Sequence, residues 1–279
     1  MKIVLSRKGF DSGYGGYPSP ILPDGRLVSF PIPDKNGTIK YNELYINERT
    51  SFSQLIHDLI GDKIKIEGIG KVPIDNLGCH LDPDVDPRIY HRFENWKGLF
   101  GQAGAAQGHL SNNNISKGDI FLFFGWFRQV EIINGKYRYS KSDKNGKHVI
   151  YGYMEVGQIR RVNGNEFEEW MLYHPHLSGE RNEYDSNHIY IANDKLTLDS
   201  SIGGFGTFFY NKNNQLTKEG LSKSKWCIPD FFKETRISYH SEKSWKNGYF
   251  QSAAKGQEFV VEGTPDIEKW VHKLIKTSI

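Results

Sequence analysis

The chain has 279 residues, a formal net charge of +3, and 37% apolar and 25% charged residues, as is ordinary for a globular protein. No segment approaches the roughly 18 apolar residues that cross a membrane, and two cysteines are too few for a disulfide framework. The mildly basic pI of about 8.6 permits nucleic acid as a partner without requiring it. With no recognisable secretory leader, we expect a cytoplasmic protein with reduced thiols.

Short apolar runs bounded by Gly, Pro and polar residues predict a β-rich chain. The surest strand is 119–126, and with 136–138 and 147–161 it predicts an antiparallel meander over 119–161. A Pro-Asp-Gly turn predicts a hairpin over 21–33. The other predicted strands, in chain order, are 2–6, 79–81, 170–173, 188–192, 206–210 and 258–262.

Helical signals are fewer. Residues 51–59 predict a helix with Ser51 or Ser53 as N-cap and Gly61 as the stop. We also expect a helix interrupted by glycines from 96 to 110, a short helix beginning at Pro229 and an amphipathic helix over 266–275. Residues 62–75 are expected to be irregular. The absence of repeats or a convincing linker favours one continuous α+β domain over 1–279.

Alternating polar residues follow the strand predicted at 79–81. His80, Asp82 and Asp84 share one face of an extended chain. Such a set is typical of a site for Fe, Mn or Zn, and also of acid–base catalysis in which a carboxylate orients a histidine. The structural alternative is a rigid turn at Pro83 and Pro87 whose carboxylates cap backbone N–H groups. The histidines available to complete a metal site are His109, His174, His176 and His188.

Small residues dominate 101–109, where Gly and Ala permit close approach to a ligand and consecutive N–H groups can form an anion nest. Gln102 and Gln107 can read a base edge through paired hydrogen bonds, and His109 is a candidate catalytic residue. The segment is neither a P-loop nor a dinucleotide fingerprint. The alternative is a helix whose small residues pack against a neighbour.

Basic and polar residues follow the first predicted strand. Arg7 and Lys8, with Asp11 and Ser12 in the same Gly-rich loop, are candidates to hold a phosphate, although surface Arg-Lys pairs are common.

Two further motifs carry weaker signals. The histidines in Tyr173-His-Pro-His do not have a standard zinc spacing, which favours a loop with one partly buried histidine. Glu258, in Gly256-Gln-Glu, has the position of the catalytic acid of an ADP-ribosyl-transfer fold, with Arg7 on the cofactor phosphate. The serine element of that fold is not identifiable.

Two family resemblances follow from these motifs. The strands 117–126 and 150–159 resemble the strand pair of PUA-like modules such as the ASCH and EVE domains. That resemblance implies a small β-barrel that binds RNA or modified bases, with Trp126 as a base-stacking platform. Over nearly its full length the chain also resembles the family called nucleotide modification associated domain 3. The motifs that carry this second resemblance are 5–12, 16–21, 31–34, 80–84, 101–110, 121–128 and 256–260.

The second resemblance implies an association with phage or bacterial systems that alter nucleic-acid bases, without a defined reaction. Together with the residues it predicts a β-rich α+β domain with a PUA-like mixed or antiparallel barrel and flanking short helices, or two units at 1–110 and 111–279. We expect a protein that handles a nucleotide, or a base in nucleic acid, in one cleft, either modifying it or recognising a modified form. The alternatives are a non-catalytic PUA-like reader and a partner-dependent subunit of a phage or defence system.

The residues assigned to this cleft fall into two groups. The catalytic candidates are His80, Asp82 and His109, the first two as an acid–base pair or as metal ligands, and the sequence assigns no cofactor. The nucleotide- or base-binding candidates are Arg7, Lys8, Asp11, Ser12, Gln102, Gln107, Trp126 and Arg128.

Overall fold

A computed structural model describes residues 1–178, 185–253 and 258–279. The helices are α1 (Phe52–Ile60), α2 (Gly104–Asn112) and α3 (Pro265–Ser278). The strands are β1 (Ile3–Arg7), β2 (Ser19–Ile21), β3 (Ile32–Pro33), β4 (Ile39–Lys40), β5 (Tyr45–Asn47), β6 (Thr50–Ser51), β7 (Lys63–Ile66), β8 (Gly70–Pro73), β9 (Gly78–His80), β10 (Leu99–Gln102), β11 (Ile120–Ile133), β12 (Lys136–Tyr139), β13 (Lys147–Arg161), β14 (His188–Ala192), β15 (Phe205–Thr207), β16 (Lys225–Trp226), β17 (Trp245–Lys246), β18 (Tyr249–Gln251) and β19 (Glu258–Val261). None of the helices in these ranges is long and apolar enough to cross a membrane.

A mixed sheet forms the centre of the molecule, with strand order β10-β14-β13-β11-β1-β19. The β1 strand runs parallel to β11 and antiparallel to β19, with Ile3 opposite both Ile120 and Val261. The inner strands are nearly continuous apolar runs because both of their faces are covered. Phe100 and Phe123 pack on one face, while Phe124 packs with Phe259 on the other.

A second apolar cluster is built by the N-terminal part of the chain around α1. The Ser51 hydroxyl accepts a hydrogen bond from the N–H of Gln54, as an N-cap does, and Gly61 ends the helix with a φ of 105°. The helix buries Phe52, Leu55 and Ile56, among other members of this cluster. The N-cap and stop predicted for 51–59 are confirmed.

The predicted meander over 119–161 is confirmed, because β11 pairs antiparallel with both β12 and β13. The expected closed barrel is not found. The end strands β10 and β19 do not pair with each other among the described residues, so the PUA-like likeness is not confirmed.

Three local predictions are wrong. Residues 62–75 are not irregular but contain the β7–β8 hairpin, in which Ile64 and Ile66 are buried. The helix expected from 96 begins only at Gly104, because β10 pairs with β14. The strand expected at 170–173 is replaced by a 3₁₀ turn over Glu169–Met171, which buries Met171.

Candidate functional site

Four side chains meet where the N-terminal cluster contacts the central sheet. His80 ends β9, Asp82 follows it, and His174 and His176 lie in the loop before β14. An oxygen of Asp82 lies 3.8 Å from Nε2 of His80, 3.8 Å from Nε2 of His176 and 3.3 Å from Nε2 of His174. All four side chains are at most 4% exposed, so the cluster is almost entirely buried.

Asp82 is held in its ionised form. The N–H of Gly101 donates to its Oδ1 over 2.7 Å. Burial alone would raise the pKa of Asp82, but the hydrogen bond from His174 and the charges of the surrounding histidines outweigh it, and the net result is a lowered pKa. Burial is the main cause that lowers the pKa of His176 to about 3. At neutral pH the cluster therefore combines a carboxylate with a neutral imidazole.

The close approach of His176 to β10 requires a glycine. A Cβ at Gly101 would lie 2.3 Å from Cγ of His176, far inside van der Waals contact. On its other side the ring is fixed by Asn187, whose Oδ1 lies 2.7 Å from Nδ1 of His176 and whose Nδ2 donates to the His176 carbonyl. The ring orientation is thus set by both neighbours.

A ligand set for a metal ion is present in this cluster. One donor atom each from His80, Asp82 and His176 lie within 4.8 Å of one another. Two imidazoles and one carboxylate are a donor set that divalent transition metals favour. On the outer side of His80 a further carboxylate is present, Asp34, whose Oδ2 lies 3.7 Å from Nδ1 of His80.

A second polar cluster lies on the neighbouring side of the sheet, at the end of β1. Glu258 is 1% exposed, and its Oε1 accepts hydrogen bonds from Lys8 over 2.9 Å and from Gln102 over 2.7 Å. Its Oε2 is buried and has no hydrogen-bond partner within residues 1–178, 185–253 and 258–279. The charges of the carboxylates in both clusters act on the buried Tyr151. Burial raises its pKa, and the charges of Asp82 and Glu258 raise it further.

A cleft of about 710 Å³ opens beside both clusters. His80 and Gln102 contribute to its wall, so each cluster reaches it through one residue. Tyr14 contributes an aromatic ring, and Asp34 and Lys35 contribute charge. The volume is in the range, about 300–1,000 Å³, of sites that bind small molecules.

Among the predicted site residues, His80, Asp82, Lys8 and Gln102 are brought together here, but Arg7 is not. Arg7 points to the opposite face of the sheet, where its guanidinium carbon lies 5.8 Å from the Phe259 ring centre and it donates to the Ala253 carbonyl. Adjacent residues of a strand face opposite sides, so Arg7 and Lys8 do not form one phosphate clamp.

The polar groups of the loop after β1 form hydrogen bonds that stabilise the loop itself. Oδ1 of Asp11 accepts the N–H groups of Gly13 and Tyr14. The carbonyl of Ser12 accepts from Lys65. Asp84 likewise stands apart from the His80 cluster, because Arg92 contacts both of its oxygens at 2.6 Å.

The remaining candidates are engaged elsewhere. Gln107 is buried within the protein and accepts from Tyr190. Nε2 of His109 lies 2.9 Å from Oγ of Ser238, and the ring packs on Tyr239 rather than on His80 or Asp82.

Two candidates lie along β11. The Trp126 ring is covered by Lys223, whose Nζ lies 3.6 Å from the ring centre. Arg128 lies over Tyr139 and donates to the Ser140 carbonyl. Neither side chain contributes to the cleft beside His80.

The sequence offers His174 and His176 as two of four histidines that could complete a metal site, without distinguishing them, and it does not predict the pairing of Glu258 with Lys8. The two histidines have no recognised local spacing, and only the fold brings them to Asp82. Glu258 was considered only for another reaction and for a partnership with Arg7. The rest of its motif, Gly256 and Gln257, lies outside the described residues. The detectable signal for Glu258 was a charged residue at the start of the apolar run 259–261.

Comparison with known proteins gives one match. No curated protein and no solved structure matches the chain. The family model described as nucleotide modification associated domain 3 matches residues 2–262, which include all residues of both polar clusters. The chain therefore belongs to the nucleotide modification associated domain 3 family.

Proposed function

We propose that this protein is an enzyme that modifies a nucleotide, or a base in nucleic acid, with its reaction centre at His80, Asp82 and His176. The observation that carries the proposal is a buried group of two imidazoles and a carboxylate that reaches a large cleft through His80. Membership of a family associated with nucleotide modification supports a nucleotide as the substrate class.

The free-energy cost of burying two carboxylates close together supports a catalytic role. Burying Asp82 and Glu258 in one region is unfavourable unless each charge is compensated, and structural stability does not require two such carboxylates. Polar groups arranged in this way at the edge of a cleft are typical of active sites. We assign Asp82 and His80 to the reacting centre and Gln102 to the wall that positions the substrate, with Lys8 and Glu258 holding Gln102 from behind.

The cleft offers contacts suited to a nucleotide. The half-buried ring of Tyr14 can stack on a base, and the exposed ammonium of Lys35 can contact a phosphate. Trp126 is a weaker stacking candidate than the sequence indicated, because Lys223 lies over its ring. Because the PUA-like reader relies on Trp126 as its base-stacking platform, the covered ring leads us to favour the enzymatic function.

The test is nucleoside mass spectrometry on DNA, RNA and nucleotides incubated with the purified protein and common group donors, with and without divalent metal. We expect a new mass with the wild-type chain, and its loss in Asp82→Asn and His80→Ala. The matched control is His57→Ala, which removes a histidine that also faces a carboxylate, Asp62 at 2.8 Å, but is 50% exposed and outside the cluster. The control should retain full turnover.

Other results would contradict the proposal. A new mass that persists in both cluster variants would place the chemistry elsewhere. A nucleotide that stays bound to the protein with no new mass would leave a non-catalytic binding protein.

A further inference from the structure

We infer that His80, Asp82 and His176 bind one divalent first-row transition metal ion, with His174 and Asn187 orienting the ligands from outside the coordination sphere. This inference concerns the same centre as the proposed function and rests on it only for what the ion would act upon.

The hydrogen-bond partners of His176 determine its tautomer. Nδ2 of Asn187 donates to the His176 carbonyl, so Oδ1 of the same amide is the acceptor facing Nδ1 of His176 at 2.7 Å. Nδ1 therefore carries the hydrogen, and Nε2 presents its lone pair toward Asp82. A metal-binding histidine commonly donates its other nitrogen to a carbonyl or carboxylate in this way.

His174 has the opposite tautomer. Its Nδ1 accepts the backbone N–H of His176 over 3.3 Å, so its hydrogen is on Nε2. Nε2, which carries that hydrogen, lies 3.3 Å from Oδ1 of Asp82. His174 therefore offers no lone pair toward the carboxylate and is not a ligand.

With Gly101 and His174 both directed at Oδ1, the other oxygen of Asp82 faces the remaining imidazoles. Oδ2 lies 3.8 Å from Nε2 of His80 and 3.8 Å from Nε2 of His176. These separations are too long for hydrogen bonds. They approach the distance of about 3.4 Å between two ligand atoms that each lie about 2.1 Å from one tetrahedral ion. Oδ2 of Asp82 and Nε2 of His176 both offer lone pairs and do not bind each other, whereas a metal cation binds both.

The outer partners complete the pattern of a metal centre. Asn187 holds Nδ1 of His176 by a hydrogen bond of 2.7 Å, and the Asp34 carboxylate lies 3.7 Å from Nδ1 of His80, near enough to attract a protonated nitrogen there but too far for a hydrogen bond. Three protein ligands leave coordination positions open, and His80 lies in the wall of the cleft. Two histidines and one carboxylate with open positions suit Fe²⁺, Mn²⁺ or Zn²⁺. An oxygen of a molecule in the cleft would complete the coordination.

The test uses the metal alone. The full chain is stripped with a chelator and titrated with Co²⁺, followed by its visible absorption, and with Zn²⁺, followed by calorimetry. We expect one high-affinity ion per chain. His80→Ala and His176→Ala should weaken binding by more than the roughly 10–100-fold that the loss of an outer partner causes, and Asn187→Ala and His174→Gln should weaken it within that range. His57→Ala should bind as the wild type does.

Several outcomes would overturn the inference. They are no high-affinity site in the wild type, unchanged affinity in His80→Ala or His176→Ala, or complete loss of binding in His174→Gln, which would make His174 a ligand. Circular dichroism and a melting temperature for each variant separate loss of the site from loss of the fold. Since no nucleotide is present, failure here leaves acid–base chemistry at the same residues intact, and failure of the mass-spectrometric test leaves a metal-binding protein.

Discussion

Lys8→Met should destabilise the fold far more than the loss of an ordinary surface lysine. The substitution keeps an apolar side chain of similar length but removes the ammonium, whose Nζ lies 2.9 Å from Oε1 of Glu258 and 4.6 Å from the centre of the Phe100 ring. Because Glu258 is 1% exposed, its charge would remain buried without a cation. Breaking a buried pair in this way costs about 3–5 kcal/mol, and the hydrogen bond retained from Gln102 places the expectation near the lower end, about 3 kcal/mol.

Urea unfolding measured by circular dichroism tests this value, and the melting temperature should fall by roughly 6–12 °C. The control is Lys233→Met, which breaks a 2.5 Å contact with Asp230 between side chains that are 52% and 89% exposed, and it should cost less than about 1 kcal/mol. The double variant Lys8→Met/Glu258→Gln should cost less than the sum of the single variants by at least about 1.5 kcal/mol. Equal costs for the Lys8 and Lys233 variants would refute the reasoning.

Three further predictions concern pH, packing and capping. Burial lowers the pKa of His148 to about 3. Between pH 6.5 and pH 3 the unfolded chain therefore binds a proton at this histidine more readily than the folded chain does. The free energy of unfolding falls as the pH is lowered through this range, by about 2 kcal/mol at pH 5. His148→Gln should remove that part of the loss in urea titrations at pH 7 and 5, and parallel curves for both proteins would contradict this. Gly101→Ala should displace the His176 ring, lower the free energy of unfolding in urea by about 1–3 kcal/mol and weaken Co²⁺ binding. Unchanged Co²⁺ binding would show that β10 can shift to accommodate the methyl group. Thr264→Ala should cost about 1 kcal/mol by the same assay, because the hydroxyl caps the N–H of Ile267, while Thr264→Ser should retain most of the stability.

Local signals predicted the parts of the fold that local physics determines. The α1 cap at Ser51, the long apolar strand β11 and the amphipathic α3 all follow from patterns within about fifteen residues. The failures lie where a distant partner decides. Residues 99–102 form a strand only because β14 supplies the hydrogen bonds. β7 and β8 pair around a turn in which Gly68 has a positive φ, and Gly70, the first residue of β8, has a positive φ as well.

The residues of the candidate site also divide into those that local sequence predicts and those that only distant contacts bring together. His80 and Asp82 were found because they are close in sequence. His176 joins them across more than ninety positions, by packing on Gly101, and no local pattern records that contact. Asp84, which has the same spacing from Asp82 as His80 has, faces Arg92 instead, because the chain turns at the Pro after Asp82 and leaves the extended conformation that the alternation assumed.

The pairing of β1 with β19 has a consequence for the synthesis of the protein. β1 emerges from the ribosome first, but its neighbours follow more than a hundred residues later, and Glu258 follows last. At about 5–20 residues per second, roughly 10–50 s separate Lys8 from Glu258. During that interval an apolar strand has neither of its partners, and contacts of such long sequence separation form slowly. The pair of Lys8 and Glu258 is therefore completed only in a chain synthesised through β19, whereas the His80 cluster needs the chain only as far as Asn187.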